Sequence, residues 1–163
     1  MTDLEIAPVS TALDFTQAAV VLGEQRAWAE RLLGRELSDV KPSAREEYAR
    51  LADFYRPPDR QLLLARLRRE PVGVVGVRRL EGAVGEGKRL YVRRSARGFG
   101  IGRRLADELP LLARRLGFRS LYVETSPQRT PESYELCRRL GFHETTARVR
   151  IQLHGFVVMQ LAL

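Results

Sequence analysis

Three glycines alternate with other residues in the stretch RGFGIGR, at residues 97–103. An apolar run precedes this stretch and a helical pattern follows it, so the glycines lie in a strand-to-helix turn. The first amides of a helix have no intrahelical acceptor, and the positive end of the helix dipole points the same way. Gly98, Gly100 and Gly102 would let the main chain approach phosphate oxygens closely. The stretch therefore predicts a phosphate or diphosphate site with arginines beside it.

Two other nucleotide-binding loops fit this stretch less well. A P-loop needs a Lys-Ser or Lys-Thr pair after the glycines, and none follows. A dinucleotide loop needs a third glycine where Arg103 stands, although Glu124 lies near the separation expected of a ribose-binding carboxylate (124 − 102 = 22 residues after Gly102). Only 163 − 102 = 61 residues remain after Gly102, too few to complete a doubly wound sheet. The dinucleotide alternative stays open but disfavoured.

Length and composition predict one globular domain over residues 1–163, with 44% hydrophobic and 29% charged residues. No apolar run is long enough for a membrane span, and the first ten residues lack the features of a secretion signal. We therefore expect a cytoplasmic protein without a membrane partner. One cysteine and two scattered histidines predict neither a disulfide nor a metal site.

The net charge of +8 raises the question of nucleic-acid binding. Lys41 and Lys88 are the only lysines among 28 basic residues, and the 28 − 2 = 26 arginines are dispersed along the chain. The aromatic content of 7% offers no obvious stacking platform. Nucleic-acid binding is therefore disfavoured, and long-range repulsion also disfavours a polycationic small substrate.

Strand and helix patterns alternate along the chain without a repeat. Strands are predicted at residues 4–9, 61–67, 72–80, 88–93, 120–124 and 156–163. Helices are predicted at residues 11–33, 42–55, 103–116 and 131–140, and residues 81–87 read as a flexible connection. Pro110 inside the third helix predicts a tolerated surface kink. The order indicates an α/β fold with a mixed, mostly antiparallel twisted sheet and flanking helices.

Residues 97–102 read Arg-x-x-Gly-x-Gly, and with this pattern the sequence resembles the GNAT family of N-acetyltransferases. In that family Gln or Arg, two residues, Gly, one residue, and Gly or Ala follow the fourth strand and open the third helix, as here. LYVRRSARG resembles the family's strand-to-loop junction, and CRRLGF resembles its late helix-to-strand junction. The resemblance covers essentially the whole chain and implies the GNAT-type acyl-CoA acyltransferase fold.

The resemblance implies acetyl-CoA, or a close acyl relative, as co-substrate, with no metal. The positions that match the diphosphate-binding amides are Gly98, Gly100, Gly102 and Arg103. Arg97, Arg103 or Arg93 could meet the phosphate charge. Leu90, Tyr91 and Val92 match the bulged end of the fourth strand, where main-chain groups pair with the pantetheine arm. The Val92 amide would then face the thioester oxygen and stabilise the tetrahedral intermediate.

Family members often draw a general base from the fourth strand, six residues before the position of Val92. Here that residue is Glu86, which shares the face of Val92 if the strand is regular. Glu124 is the reserve candidate, and a chain of water molecules is an equal alternative.

The general acid is where the sequence departs from the family. A tyrosine commonly stands four residues before the glycine of the late Gly-Phe pair, and here that position is Cys137. A free thiol, with a pKa of about 8.5, is a stronger acid than a tyrosine at about 10. Tyr134, one helical turn upstream, could reach in instead. Alternatively, Cys137 is a small buried residue that fills space, and the thiolate leaves unaided.

The expected function is transfer of an acetyl group from acetyl-CoA to a primary amine of a small molecule or a protein. The alternatives are a non-catalytic acyl-CoA-binding or regulatory domain and, less favoured, a basic nucleic-acid-associated protein. The sequence does not decide whether the protein forms a homodimer. In the family the acceptor pocket uses the first two helices and the segment before the last strand, here Trp28, Tyr48, Tyr55 and residues 143–154. Carboxylates that could attract an amine are Glu24, Glu46 and Glu47.

Overall fold

The computed structural model describes residues 3–146 and 153–163. Within these residues seven strands form one sheet in the order β1-β2-β3-β4-β5-β7-β6. The strands are β1 (Leu4–Pro8), β2 (Arg60–Leu67), β3 (Glu70–Glu81), β4 (Val84–Val92), β5 (Ser120–Thr125), β6 (His143–Thr145) and β7 (Val157–Ala162). The helices are α1 (Ala12–Leu33), α2 (Leu37–Val40), α3 (Ser43–Ala49), α4 (Leu51–Phe54), α5 (Ile101–Arg115) and α6 (Pro131–Arg139). Among the strands of the described residues only β4 and β5 pair in parallel, so the predicted mixed, mostly antiparallel sheet is confirmed.

Local signals define the two ends of α1, as the sequence predicts. The Thr11 hydroxyl accepts a hydrogen bond from the Asp14 amide, and the Asp14 carboxylate accepts one from the Thr11 amide. This capping box satisfies two amides that the first turn leaves without partners. Gly34 ends the helix in the left-handed conformation, at φ 68°.

The single helix predicted over residues 42–55 is wrong. The backbone leaves the helical region at Arg50, with φ −136° and ψ 56°, so that α3 and α4 are separate short helices. The break allows Ala44 to pack in one small cluster with α2, while Leu51 and Phe54 pack in the core under α1. Tertiary packing therefore overrides the local helical pattern.

The flexible connection predicted at residues 81–87 is also wrong, because β4 begins at Val84 and is paired with β3 from there. A side chain at Gly85 would lie 2.5 Å from the Phe118 ring, and one at Gly87 would lie 2.8 Å from Leu109. These two glycines allow close packing against β4 and do not mark a loop.

Two apolar cores lie on the two faces of the sheet. The larger core packs α5 on one face, through residues such as Leu105 and Leu109. The smaller core packs α1 on the other face, through Val21 and Leu22. α5 stays one helix through Pro110, which is buried, so the expected surface location of this proline is wrong.

Crossing a membrane requires a long apolar helix, and within residues 3–146 and 153–163 no helix meets that requirement.

Candidate active site

β4 and β5 run side by side for three residues and then part. Residues 84–86 pair with residues 120–122 in parallel register, whereas β5 pairs with β7 along its whole length. The later residues of β4 therefore present a main-chain edge to a gap. An edge of this kind can pair with an extended ligand as a further strand would.

A β-bulge lies in β4 beside this gap. The register between β3 and β4 slips between Val74 and Gly76, where β4 has one extra residue. Arg89, at the bulge, has a left-handed φ of 61°. An extra residue of this kind bends the strand and reverses the alternation of its side chains.

The bulge overturns the expectation that Glu86 and Val92 share one face of β4. Val92 packs against the core under α5. The neighbours of Glu86 are Gly85 and Gly87, whose added side chains would point into that same core. Glu86 therefore points to the opposite face, because the strand is not regular between the two residues.

A buried carboxylate from α3 holds the bulge. Glu47, with no exposed side-chain surface, accepts hydrogen bonds from Arg89 Nε at 3.0 Å and Nη2 at 2.8 Å. The Tyr55 hydroxyl donates to Glu47 at 2.6 Å, and Lys88 Nζ lies 3.0 Å from it. Burial by itself would raise the pKa of Glu47, but the hydrogen bond and charge of Arg89 and the charge of Lys88 outweigh it and lower the pKa to about 2.

Lys88 shares this one carboxylate with Arg89. Burial and repulsion from Arg89 lower the pKa of Lys88 to about 8, because attraction to Glu47 and Glu86 offsets only part of those two effects. Lys88 is thus mostly charged at neutral pH and loses its charge at a lower pH than an ordinary lysine does.

The main chain of Val92 faces the gap between the parted strands. The Arg93 amide donates to Val72 O at 2.8 Å, and alternate residues of a strand direct their amides to opposite edges. The Val92 amide and carbonyl therefore point away from β3. Arg97 Nε donates to the Val92 carbonyl at 3.0 Å, and the Arg97 guanidinium lies 5.3 Å from the centre of the Tyr91 ring.

The glycine loop leads directly into α5. Gly98 and Gly100 have φ values of 85° and 75°, and α5 begins at Ile101 with no side-chain cap at Gly100. The first helical hydrogen bond from this end joins the Arg104 amide to Gly100 O, at 3.1 Å. The amides of residues 101–103 therefore lack intrahelical acceptors and can bind an anion. Gly102 differs from Gly98 and Gly100 because its φ is not left-handed. A side chain added at Gly102 would make only an ordinary contact with Val92 Cγ2, at 3.6 Å.

The three arginines considered for phosphate charge lie in different surroundings. Arg97 and Arg103 are exposed at the loop. Arg93 Nε donates to Glu24 at 2.9 Å, so its charge is already paired. Arg97 and Arg103 are therefore the better placed of the three.

A cavity of about 160 Å³ lies at the gap between β4 and β5 and is lined from both faces of the sheet, for example by Glu86 on one and Leu109 on the other. Its lining includes four of the catalytic and coenzyme-binding candidates named from the sequence, Glu86, Leu90, Glu124 and Cys137. Tyr134 is not among the lining residues, because its hydroxyl turns outward and donates to Glu144 at 2.7 Å.

Glu86 is paired inside this cavity. Arg78 Nε donates to its Oε2 at 2.8 Å. Burial would raise the pKa of Glu86, but the charges of Lys88, Arg78 and Lys41 and the Arg78 hydrogen bond lower it overall. A carboxylate with a lowered pKa is a weak proton acceptor.

Cys137 is 6% exposed, and burial raises the pKa of its thiol to about 11. Burial therefore removes the advantage in acidity that a free thiol has over a tyrosine, because it disfavours the thiolate. The packing of Cys137 in the core under α5 agrees with its alternative role as a small buried residue.

The expected acceptor residues are only partly at the cavity. Trp28 lines it, whereas Tyr55 is 1% exposed in the core beside Glu47. The Tyr48 hydroxyl donates to Gln25, and Tyr48 is absent from the lining. Within residues 143–154, Leu153 lines the cavity and residues 147–152 lie outside the described part of the chain. The carboxylates of Glu24 and Glu47 are occupied by arginines, and Glu46 is exposed.

Three features of the site were not predicted from the sequence. The Ile101 amide belongs to the anion-binding turn, and placing the helix start directly after Gly100 would have identified it. The Glu47–Arg89 pair at the bulge has no local signal. Lys41 Nζ lies 3.0 Å from Glu124 Oε2 at the cavity. The rarity of lysine in the chain was the one available clue to that pair.

Comparisons with known proteins agree with this geometry. The sequence pattern of the acetyltransferase (GNAT) family matches residues 27–142. An IAA acetyltransferase from Azospirillum brasilense is 34% identical over 111 residues, which are 68% of this chain and 71% of that protein.

Solved structures show the same fold. An acetyltransferase from Streptococcus agalactiae 2603 has a TM-score of 0.76 and 16% identity, with 100% of both chains covered. The PaiA N-acetyltransferase from Thermoplasma acidophilum, solved in complex with coenzyme A, has a TM-score of 0.74 and 16% identity over 98% of this chain and 99% of that one. A GNAT family acetyltransferase from Elizabethkingia anophelis, solved with acetyl-CoA bound, has a TM-score of 0.60 and 18% identity over 100% of both chains.

The family pattern spans both the glycine loop and the parted strands, and the relative from Azospirillum brasilense supports the same assignment. The predicted resemblance is therefore confirmed, and the chain belongs to the GNAT family of acetyltransferases.

Proposed function

We propose that the protein transfers an acetyl group from acetyl-CoA to a primary amine by direct attack in a ternary complex. The observation that carries the proposal is the position of the Val92 main chain, which points away from β3 beside the glycine loop, where β4 and β5 have parted. A thioester lying along this edge would have its phosphates at the start of α5 and its carbonyl near the Val92 amide.

The glycine loop would hold the diphosphate of the donor. Its amide donors are those of Gly98, Gly100, Ile101, Gly102 and Arg103. Arg97 and Arg103 would meet the remaining negative charge through hydrogen bonds to phosphate oxygens. Binding of the pantetheine arm along β4 would replace the hydrogen bond between Arg97 and the Val92 carbonyl. The Arg97 guanidinium would then be free to turn towards the phosphates. Structural relatives solved with coenzyme A and with acetyl-CoA support this choice of donor.

The chemical step forms one bond and breaks one. The lone pair of a neutral amine attacks the thioester carbonyl carbon, and the Val92 amide donates a hydrogen bond to the developing oxyanion. The carbon–sulfur bond then breaks and coenzyme A leaves as the thiolate. One proton is lost from the ammonium before attack and one is lost from the nitrogen after it.

Glu86 would take part in proton removal through water. It lines the cavity, but its pairing with Arg78 keeps its basicity low. A water chain from the amine past Glu86 to solvent suits a carboxylate of this kind better than direct abstraction does. The thiolate would leave without a side-chain acid, since burial makes the Cys137 thiol a poor proton donor and Tyr134 points away.

The experiment that tests this proposal combines the purified protein with acetyl-CoA and a panel of amines, and measures N-acetyl products by mass spectrometry. IAA is assayed separately from the amines, because the Azospirillum brasilense relative is named for it. We expect time-dependent acetylation of at least one amine, with one coenzyme A released per product. Binding of acetyl-CoA without turnover of any acceptor would overturn the proposal in favour of a non-catalytic acyl-CoA-binding domain.

A further inference from the structure

The only two lysines of the chain, Lys41 and Lys88, both line the cavity. The other 26 of the 28 basic residues are arginines. An ammonium is a compact charge, whereas a guanidinium is broad and planar. The cavity is thus a place where primary ammonium groups fit among carboxylates.

Glu124, at the end of β5, has one carboxylate oxygen with a partner and one without. Its Oε2 lies 3.0 Å from Lys41 Nζ. Its Oε1 is buried and, among the residues that the structure describes, receives no hydrogen bond. A buried carboxylate oxygen without a donor has lost its hydration and gained nothing in return, so a ligand with an N–H group would stabilise it.

Glu124 lies where two cavities meet. A second cavity of about 150 Å³ shares Glu86, Lys88, Glu124 and Lys41 with the first. Beyond this junction the first cavity is mainly apolar, with walls that include Trp28, Leu33, Leu37, Leu109 and Phe156. The first cavity also reaches Leu90 at the β4 bulge, where the proposed thioester would lie.

We infer that Glu124 Oε1 binds the ammonium group of the acceptor, and that the acceptor is a primary monoamine with an apolar aromatic or branched aliphatic body. This inference rests on the proposed function. The Lys41 ammonium on the other oxygen shows that a primary ammonium on a hydrocarbon chain fits this carboxylate. The apolar walls would bury the carbon body of the ligand.

The charges around the cavity argue against two other kinds of amine. Among the described residues, each lysine and arginine of the lining is already paired, Lys41 with Glu124, and Lys88 and Arg89 with Glu47. An amino acid would therefore bring in a carboxylate for which the described part of the lining has no free cation. A polyamine would place a second ammonium near Lys41 or Lys88, or against apolar walls, and both positions are unfavourable.

The amine must still lose a proton before attack. The Glu124 carboxylate favours the charged ammonium, and repulsion from Lys41 on the same carboxylate offsets part of that effect, so that the proton can pass to water. The neutral amine that results has the lone pair that the acyl transfer requires.

The test measures binding by calorimetry, in the presence of coenzyme A, with 2-phenylethylamine as the probe. Three matched compounds separate the requirements: 2-phenylethanol lacks the amine, phenylalanine adds a carboxylate, and spermidine adds further ammonium groups. We expect 2-phenylethylamine to bind more tightly than any of the three. Equal or tighter binding of phenylalanine or spermidine would overturn the inference.

Two variants locate the ammonium. Glu124→Gln should weaken the affinity for 2-phenylethylamine at least about tenfold and leave the affinity for coenzyme A unchanged, since one charge-assisted hydrogen bond is lost. Glu132→Gln, an exposed substitution in the first turn of α6, is the matched control and should change neither affinity. If Glu124→Gln binds the amine as the native protein does, the inference is wrong.

Lys41→Met gives a second measurement that does not depend on the folding of Glu124→Gln. Removal of the competing cation should strengthen binding of 2-phenylethylamine, and unchanged or weaker binding would contradict the assignment.

Measurement of N-acetyl product separates this inference from the proposed function. If 2-phenylethylamine binds in a Glu124-dependent way but no product forms, the binding site is supported and the transferase proposal is rejected. If other amines are acetylated but 2-phenylethylamine does not bind, the transferase proposal is supported and the binding site is rejected.

Discussion

The Glu47 carboxylate in α3 receives two hydrogen bonds from the guanidinium of Arg89, at 3.0 and 2.8 Å, at the residue where β4 bulges. Arg89 has the left-handed φ of 61°, a conformation that an L-residue other than glycine adopts at a cost. The ion pair offsets that cost and joins a helix on one face of the sheet to the edge that would bind the donor. The shape of the gap therefore depends on a residue far from the glycine loop.

Replacement of Glu47 by glutamine should destabilise the protein strongly. The change would leave the charge of Arg89 buried without its counterion and take from Lys88 the carboxylate in contact with it, and breaking a buried pair in this way typically costs about 3–5 kcal/mol. Urea unfolding would measure the loss. Glu46→Gln, an exposed neighbour in the same helix, is the control and should change the unfolding free energy by no more than about 0.5 kcal/mol. Similar stabilities for the two variants would contradict the assigned role.

The Glu47 carboxylate should also make the free energy of unfolding depend on pH in the acid range. Its pKa is lowered from 4.5 to about 2 on folding, so its contribution is complete above pH 4.5 and is lost as the pH falls towards 2. The size is about 3 kcal/mol, from a shift of about 2.5 units at 1.36 kcal/mol per unit. Asp14 also has a lowered pKa, because the Thr11 and Ser10 amides donate to it. It contributes the same pH dependence to the native protein and to Glu47→Gln. Unfolding free energies measured between pH 5 and 3 should therefore fall less steeply in Glu47→Gln than in the native protein; parallel curves would refute the expectation.

Two glycines of the phosphate loop should respond in opposite ways to alanine. Gly100 has φ 75°, where a side chain costs about 1–2 kcal/mol, so Gly100→Ala should lower stability and weaken acetyl-CoA binding. Gly102 lies inside α5 outside that region, and a side chain there would make only an ordinary contact with Val92. Gly102→Ala should therefore raise the unfolding free energy by about 0.5–1 kcal/mol and retain acetyl-CoA binding. Urea unfolding and calorimetry measure both effects, and a loss of stability in Gly102→Ala would show that the loop is packed more tightly.

The order of the elements was predictable because its signals are local. Caps at Thr11 and Gly34, the proline turn at residues 56–59 and the glycine loop at residues 97–103 all lie within a few residues of the boundaries they define. The errors came where distant packing decides the outcome. Gly85 and Gly87 read as a loop, although their role is to admit Phe118 and Leu109 against β4.

The candidate site was less predictable for the same reason. The loop glycines could be placed, but the face of Glu86 could not, since it depends on a bulge held by Glu47, 42 residues before Arg89. The Lys41–Glu124 pair joins residues 83 positions apart. No spacing rule for helices or strands reaches over such distances.

Removal of the α6 side chains considered as general acids should have little effect on turnover. A working general acid contributes about a hundredfold or more to the rate, so we expect kcat of Cys137→Ala and of Tyr134→Phe to stay within about threefold of the native value. The physical reasons are the raised pKa of the buried Cys137 thiol and the outward hydrogen bond of Tyr134 to Glu144. Steady-state kinetics with saturating acetyl-CoA would measure this, and a hundredfold loss in either variant would identify that residue as the proton donor.

Glu86→Gln should lower kcat by about tenfold, which is less than the hundredfold or more expected for loss of a direct general base. The charges of Lys88, Arg78 and Lys41 outweigh burial and keep the pKa of Glu86 below its ordinary value, so its protonation state does not change between pH 6 and 9. A limb of the kcat profile in that range should therefore persist in the variant, because the ionisation it reports belongs to the amine or to Lys88; a limb that belongs to Lys88 would move to lower pH, since the attraction of Glu86 is lost. A variant whose pH profile loses a limb between pH 6 and 9 would instead mark Glu86 as the group that takes the proton directly.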